Sequence, residues 1–106
     1  MPEIRLGNSV VTHITAISVD PIRQSELLDL MRERARFMAK QPGFVSISLH
    51  RGIDGSHVVN YVQWASRRQL QAAQKAPEFD ALSQRFSTLI EEVESDFYDV
   101  VLLEEK

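Results

Sequence analysis

Two runs rich in β-branched and aromatic residues, Phe44–Arg51 (FVSISLHR) and His57–Trp64 (HVVNYVQW), flank the turn Gly52-Ile53-Asp54-Gly55-Ser56. Strands separated by so short a glycine-containing turn pair with each other, so the middle of this chain has to form a β-hairpin. The remaining segments must fit around it. Upstream, Val10–Val19 (VVTHITAISV) reads as a strand. Asp20-Pro21 ends it, with Asp20 as N-cap and Pro21 at the first helical position. The helix that follows is expected to reach about Lys40, with Leu27, Leu28, Met31, Ala35 and Met38 on one apolar stripe, before Gln41-Pro42-Gly43 stops it. Arg32, Arg34 and Arg36 on that helix are expected to spread around it and be solvated.

Downstream of the hairpin, Ser66-x-x-Gln69 is a capping-box pattern that opens a short helix to about Lys75. Pro77 interrupts it and restarts a second piece, with Phe79, Leu82, Phe86, Leu89, Ile90 and Val93 as its stripe. The acidic run Glu91, Glu92, Glu94 and Asp96 is expected at a helix end and turn, and Phe97–Leu103 (FYDVVLL) as the last strand. Residues Met1–Asn8 form a lead-in without periodicity. The order is β-α-β-β-α-β with the second helix broken. This predicts an α+β, ferredoxin-like fold: one antiparallel sheet with the helices on one face. At 106 residues the chain is expected to be a single domain, 1–106, too short for a cofactor domain beside a substrate domain.

A four-residue loop from Gly52 to Gly55 sets His50 opposite His57. Val45, Ile47, Leu49, Val58, Asn60, Val62 and Trp64 then share an apolar face that belongs under the helices. Phe44, Ser46, Ser48, His50, His57, Val59, Tyr61 and Gln63 form a mixed opposite face, suited to a subunit interface, so a homodimer is expected.

Several classes of chemistry are excluded at this level. The chain has no cysteine, which removes thiolate nucleophiles, iron–sulfur clusters and cysteine-based zinc sites. His13, His50 and His57 show no metal-binding spacing, and no phosphate loop or dinucleotide fingerprint is present, so no metal, heme or flavin is expected. No run approaches a membrane span, and no secretory leader is read, so a cytoplasmic protein without membrane contact is expected. Net charge is −3 and the pI is about 5.6, with no basic stripe, so no nucleic-acid partner is expected. An RNA-recognition module has the same element order, but HVVNYVQW lacks its aromatic and basic signature.

The candidate site residues lie on the apolar face and the later helix. Asn60 is a polar residue among apolar ones. Such an amide either binds a ligand in a cavity or bonds to nearby backbone or a trapped water. Trp64, four residues on, offers a flat wall and an indole N–H, or simply fills core. Val62 lies between them. Arg85 and Phe86 follow on the later helix, Arg85 able either to reach an anionic ligand or to sit in a surface ion pair.

The stretch N-Y-V-Q-W (Asn60–Trp64), the following A-S-R-R-Q-L, the P-E-F of Pro77–Phe79 and the closing D-F-Y-D-V-V-L together resemble the antibiotic biosynthesis monooxygenase family. The resemblance implies a ferredoxin-like protomer that pairs through its sheet into a dimeric α+β barrel. It also implies cofactor-free oxygenation, by molecular oxygen, of a small aromatic substrate such as an anthrone or quinol. Asn60 and Trp64 would be the catalytic residues, with Arg85, Val62 and Phe86 binding substrate. Polyketide-oxidising members carry a Tyr on the helix after the Trp, where this chain has Arg67-Arg68-Gln69-Leu70. Heme-degrading relatives need a His on that helix, and none occurs between Ser66 and Glu92. The alternative within the same fold is a non-catalytic small-molecule-binding or stress-response dimer.

Overall fold

Four strands and three helices form around the hairpin in the computed structural model, which describes residues 10–106. The lead-in Met1–Asn8 lies outside the described residues. The elements are β1 (Val11–Val19), α1 (Gln24–Met38), β2 (Phe44–Arg51), β3 (His57–Trp64), α2 (Arg67–Gln74), α3 (Pro77–Phe86) and β4 (Ile90–Tyr98). Single 3-10 turns precede α1 at Pro21–Arg23 and follow α3 at Ser87–Leu89. All strand pairings are antiparallel and the sheet order is β2-β3-β1-β4, the ferredoxin-like arrangement. No helix among the described residues is long and apolar enough to cross a membrane.

The local signals act as expected at the starts marked by Asp20 and Ser66. Asp20 accepts a hydrogen bond from the Ile22 N–H at 3.0 Å. Ser66 accepts one from the Gln69 N–H at 3.2 Å and donates its hydroxyl to Gln69 Oε1 at 3.1 Å, so the capping box is formed. At the start of α1, Gln24 is buried and donates to the backbone carbonyls of Gly52 and His57 at 3.1 and 3.0 Å. That bond ties the helix to the mouth of the hairpin.

Three expectations are corrected. The hairpin closes through the Gly52 N–H to the His57 carbonyl, so His50 pairs with Val59 and not with His57. The offset is two residues, which leaves the faces unchanged. An irregularity between Phe44 and Ser46 turns Phe44 onto the Trp64 face, where the two rings meet edge to face at 5.6 Å. Finally, helix periodicity does not extend to Val93. The chain is extended from Ile90, and the acidic residues lie in β4 instead of a helix end. Glu92, Glu94 and Asp96 alternate with Val93, Ser95 and Phe97, a period of two that suits a half-exposed edge strand. The last strand thus ends at Tyr98, not Leu103, and residues 99–106 form no regular element.

The core divides into two clusters. Ile17, Val19, Leu27, Leu28, Met31, Val58, Phe86 and Leu89 form one, and Met38, Val62, Trp64, Leu70 and Ala73 the other.

Gly43 joins these parts. Its φ is +85°, its carbonyl accepts from the Ala65 N–H at 2.7 Å, and a Cβ there would overlap the Gln69 side chain. Gly43→Ala should therefore cost at least the left-handed penalty of about 1–2 kcal/mol. Thermal unfolding should show it, at roughly 4–8 °C per kcal/mol for a domain of this size. An unchanged midpoint would contradict the packing described.

Candidate active site

The pairing of the strands decides which side chains meet beneath the helices. Across β2, β3, β1 and β4, one row reads Leu49, Asn60, Thr15, Ser95 and the next reads Ile47, Val62, His13, Phe97. Trp64 follows at the end of β3, opposite Val11. The core face therefore carries a polar strip of Asn60, Thr15 and Ser95, with His13 beside it. Thr15 and Ser95 hydroxyls lie 3.2 Å apart, and His13 Nε2 is hydrogen-bonded to Ser95 Oγ. The His13 ring stacks on Phe97 at 4.9 Å, and the Arg67 guanidinium covers Phe97 at 4.3 Å.

The helices do not close over this strip. Between it and Arg34, Met38, Leu70, Gln74 and Phe79 lies a partly open cleft of about 190 Å³, to which Asn60, Val62 and Trp64 contribute. Among the described residues, three buried side-chain atoms have no hydrogen-bond partner: Asn60 Oδ1, Trp64 Nε1 and Arg34 Nε. All three belong to residues that line this one cleft. A buried polar group left unpaired costs roughly 1–3 kcal/mol. Their concentration at one cavity marks it as built for something polar that enters it. A larger cleft of about 370 Å³ lies on the outer sheet face beside Ile14, Ala16, Glu94, Asp96 and Tyr98. None of these residues has an unpaired buried side-chain atom, so the smaller cleft is the better candidate.

Trp64 is fully buried and Asn60 nearly so. Four residues apart on a strand, they stand about 13 Å from each other with Val62 between. A planar ring system lying over Val62 would meet the amide at one end and the indole at the other.

Arg34 is one residue that sequence reasoning missed. Its guanidinium lies over the Phe79 ring at 4.9 Å and the Phe86 ring at 4.7 Å, and Nη1 donates to Ser83 Oγ at 3.0 Å. Burial lowers its pKa to about 10, which leaves it charged near neutral pH. The signal was present, because Leu27, Met31, Arg34 and Met38 follow the four-three-four spacing of a buried stripe. Its expected solvation is therefore corrected. Arg85 lies outside this lining: it is half exposed and pairs with Glu33 at 2.8 Å. Phe86 belongs to the first core cluster and reaches the site only beneath Arg34. Thr15 and His13 were missed as site residues because they meet Asn60 and Val62 only through the β1–β3 pairing, and Ser95 because it joins them only through the β1–β4 pairing.

Comparison with known proteins agrees with this architecture. A family model described as antibiotic biosynthesis monooxygenase matches residues 10–85. Tetracenomycin-F1 monooxygenase of Streptomyces glaucescens is 35% identical over 78 residues, 73% of this chain and 70% of that protein. The crystal structure of SnoaB from Streptomyces nogalater, described as a cofactor-independent oxygenase, superposes with a TM-score of 0.83. It is 24% identical and covers 93% of this chain and 100% of its own. A structure from Nitrosomonas europaea superposes with a TM-score of 0.82 at 13% identity, over 92% of this chain and 96% of its own.

His13 gives the site a pH signature. Burial, and then the charge of Arg34, lower its pKa below 6.5. The unfolded chain thus binds this proton more readily than the folded one, and stability rises with pH in that interval. The contribution is complete above the unfolded value and is lost as pH falls through it toward the folded one. Stability should drop between about pH 7.5 and about pH 5.5, and His13→Gln should flatten part of the drop. Urea unfolding at both pH values measures it, and identical slopes in the two proteins would refute it.

Proposed function

The chain belongs to the antibiotic biosynthesis monooxygenase family, and on that premise we propose that it is a cofactor-independent monooxygenase of an electron-rich, anthrone- or quinol-like ring. The observation that carries the reading is the pair of buried, unpartnered polar atoms, Asn60 Oδ1 and Trp64 Nε1, along one wall of a single cleft. The names of the relatives support it: one is a monooxygenase and another a cofactor-independent oxygenase.

Triplet oxygen reacts slowly with closed-shell molecules, so without a cofactor the substrate must supply the electron. An anthrone does so once its enol has lost a proton. The anion passes one electron to oxygen, and the radical pair combines to form a carbon–oxygen bond. Loss of water from the resulting peroxide turns the CH₂ group into a ketone, so one oxygen atom enters the product and the other leaves in water. The protein's part is to hold the ring, exclude water and stabilise the anion. Asn60 accepts from the neutral hydroxyl. With its amide turned by 180° it donates to the oxyanion that replaces it. Trp64 walls the ring and donates its indole N–H at the far end. An engineered apolar cavity of about 150 Å³ takes up benzene. A cleft of about 190 Å³ thus admits the reacting ring of a fused system whose remainder stays at the mouth.

Oxygen uptake with an anthrone such as dithranol tests this, with ¹⁸O₂ labelling of the product. Wild-type protein should accelerate uptake over buffer and incorporate one labelled atom. Asn60→Ala and Trp64→Phe should each slow turnover by ~10²–10³ while the fold is retained. Uptake no faster than in buffer would move the non-catalytic binding reading ahead.

We further infer a homodimer formed through the outer sheet face. That face mixes Ile14, Ala16, Val59 and Tyr61 with polar residues; the exposed Tyr98 ends its edge strand, and the exposed Val101, Leu102 and Leu103 continue beyond it. A standard interface buries about 1,600 Å². Sedimentation at micromolar concentration should give twice the 12.1 kDa chain mass. A stable monomer would overturn the inference.

A further inference from the structure

We propose that Arg34 anchors an ionised oxygen substituent of the substrate, so that the cleft selects aromatic anions over neutral rings of the same shape. The proposal rests on the cleft being the substrate site, and it adds the charge that this substrate carries. Three observations support it.

First, among the described residues Arg34 has no anion of its own and makes no ion pair. The neighbouring carboxylate in sequence, Glu33, is engaged at 2.8 Å by Arg85. A guanidinium this deeply placed is expected to have a carboxylate or similar partner, because desolvating a charge without one is costly. Second, its donors are largely unused among the described residues. A guanidinium has five N–H groups. Arg34 uses one of them on Ser83, and Nε is buried without a partner. Third, its orientation is fixed. The guanidinium carbon lies over the Phe79 ring at 4.9 Å and the Phe86 ring at 4.7 Å, and Ser83 Oγ accepts from Nη1 at 3.0 Å. A planar fork held at these three points has paired donors to offer a carboxylate or phenolate. The helices therefore supply a cation on one side of the cleft, while the sheet supplies the neutral polar groups Asn60 and Trp64 on the other.

The ionised oxygen can come from a carboxylate or from a phenol that has lost its proton, and the two are separable. Trp64 is the single tryptophan of the chain and lines the cleft, so quenching of its fluorescence reports occupancy without turnover. The probes are anthraquinone, anthraquinone-2-carboxylate, and 2-hydroxyanthraquinone on either side of its ionisation. Wild-type protein should bind the carboxylate or the phenolate roughly ten- to hundredfold more tightly than the neutral ring. Whichever anion is preferred identifies the source. Arg34→Met keeps an apolar stem against the two phenylalanine rings and should abolish the preference, weakening the anionic probes at least roughly tenfold more than neutral anthraquinone. Arg34→Lys should restore part of it, and Arg32→Gln, on the exposed side of the same helix, should have no effect. Equal affinity of the wild type for neutral and anionic probes would overturn the proposal, and that comparison requires no variant to fold. A loss in Arg34→Met that is equal for all probes would also overturn it, by assigning Arg34 a packing role alone. Because the titration reads binding and not oxygen, a failed anion preference and a failed monooxygenase reading remain separate results.

Discussion

The register in which β1 meets β3 determines what the cleft contains. With Asn60 against Thr15 and Val62 against His13, the polar strip, the indole and the histidine all face the helices. A slip of one residue would turn every one of them outward. The register is held at the apolar end of the sheet, where Ile17 lies against Val58 and both are almost wholly buried. It is held again on the outer face, where Gln63 donates to Thr12 Oγ1 at 3.0 Å in a buried pair. Anchored at these points, the strand pair can afford side chains elsewhere that contribute nothing to folding.

That division runs through the whole molecule. The first core cluster, between α1, α3 and the end of β1, is aliphatic apart from Phe86 and contains no unpaired polar atom. The second cluster surrounds Trp64 and borders the cleft. Each unpaired buried group costs roughly 1–3 kcal/mol, against a net stability of about 5–15 kcal/mol for a typical domain. Asn60, Trp64 and Arg34 together thus weigh against a substantial fraction of what holds such a chain folded. A packed aliphatic cluster at one end and an incompletely satisfied cavity at the other is the arrangement expected where stability and ligand recognition are separated along one sheet.

Most of the fold was legible because its punctuation is strong. Asp20-Pro21, the turn at Gly52–Gly55 and the Ser66–Gln69 cap each fix a boundary through a local hydrogen bond or a backbone restriction, and none depends on distant contacts. Ile90–Tyr98 was misread because Leu89, Ile90 and Val93 also satisfy helical spacing. What makes the segment a strand is pairing with β1, a contact some eighty residues away in sequence for Ser95. The site was legible to the same extent. Asn60, Val62 and Trp64 share a face by the alternation of β3 alone. Thr15 and His13 join them only through the β1–β3 register, and Ser95 through the β1–β4 register. Arg34 stood on the buried stripe of α1 but was grouped with its neighbours Arg32 and Arg36 by charge, when its spacing from Met31 and Met38 was the better guide.

The central claim is that the cleft beneath α1 receives an aromatic ligand whose polar groups complete the side chains that line it. One indole N–H resonance exists in this protein, because Trp64 is its single tryptophan. Its position in a ¹⁵N-correlated NMR spectrum measures directly whether that N–H acquires an acceptor. Titration with anthraquinone-2-carboxylate should move this resonance to lower field and saturate it, in step with the amides of Asn60 and Val62. An indole resonance that stays in place while amides of Ile14, Glu94 and Tyr98 on the outer face move would contradict the account and assign binding to the other side of the sheet.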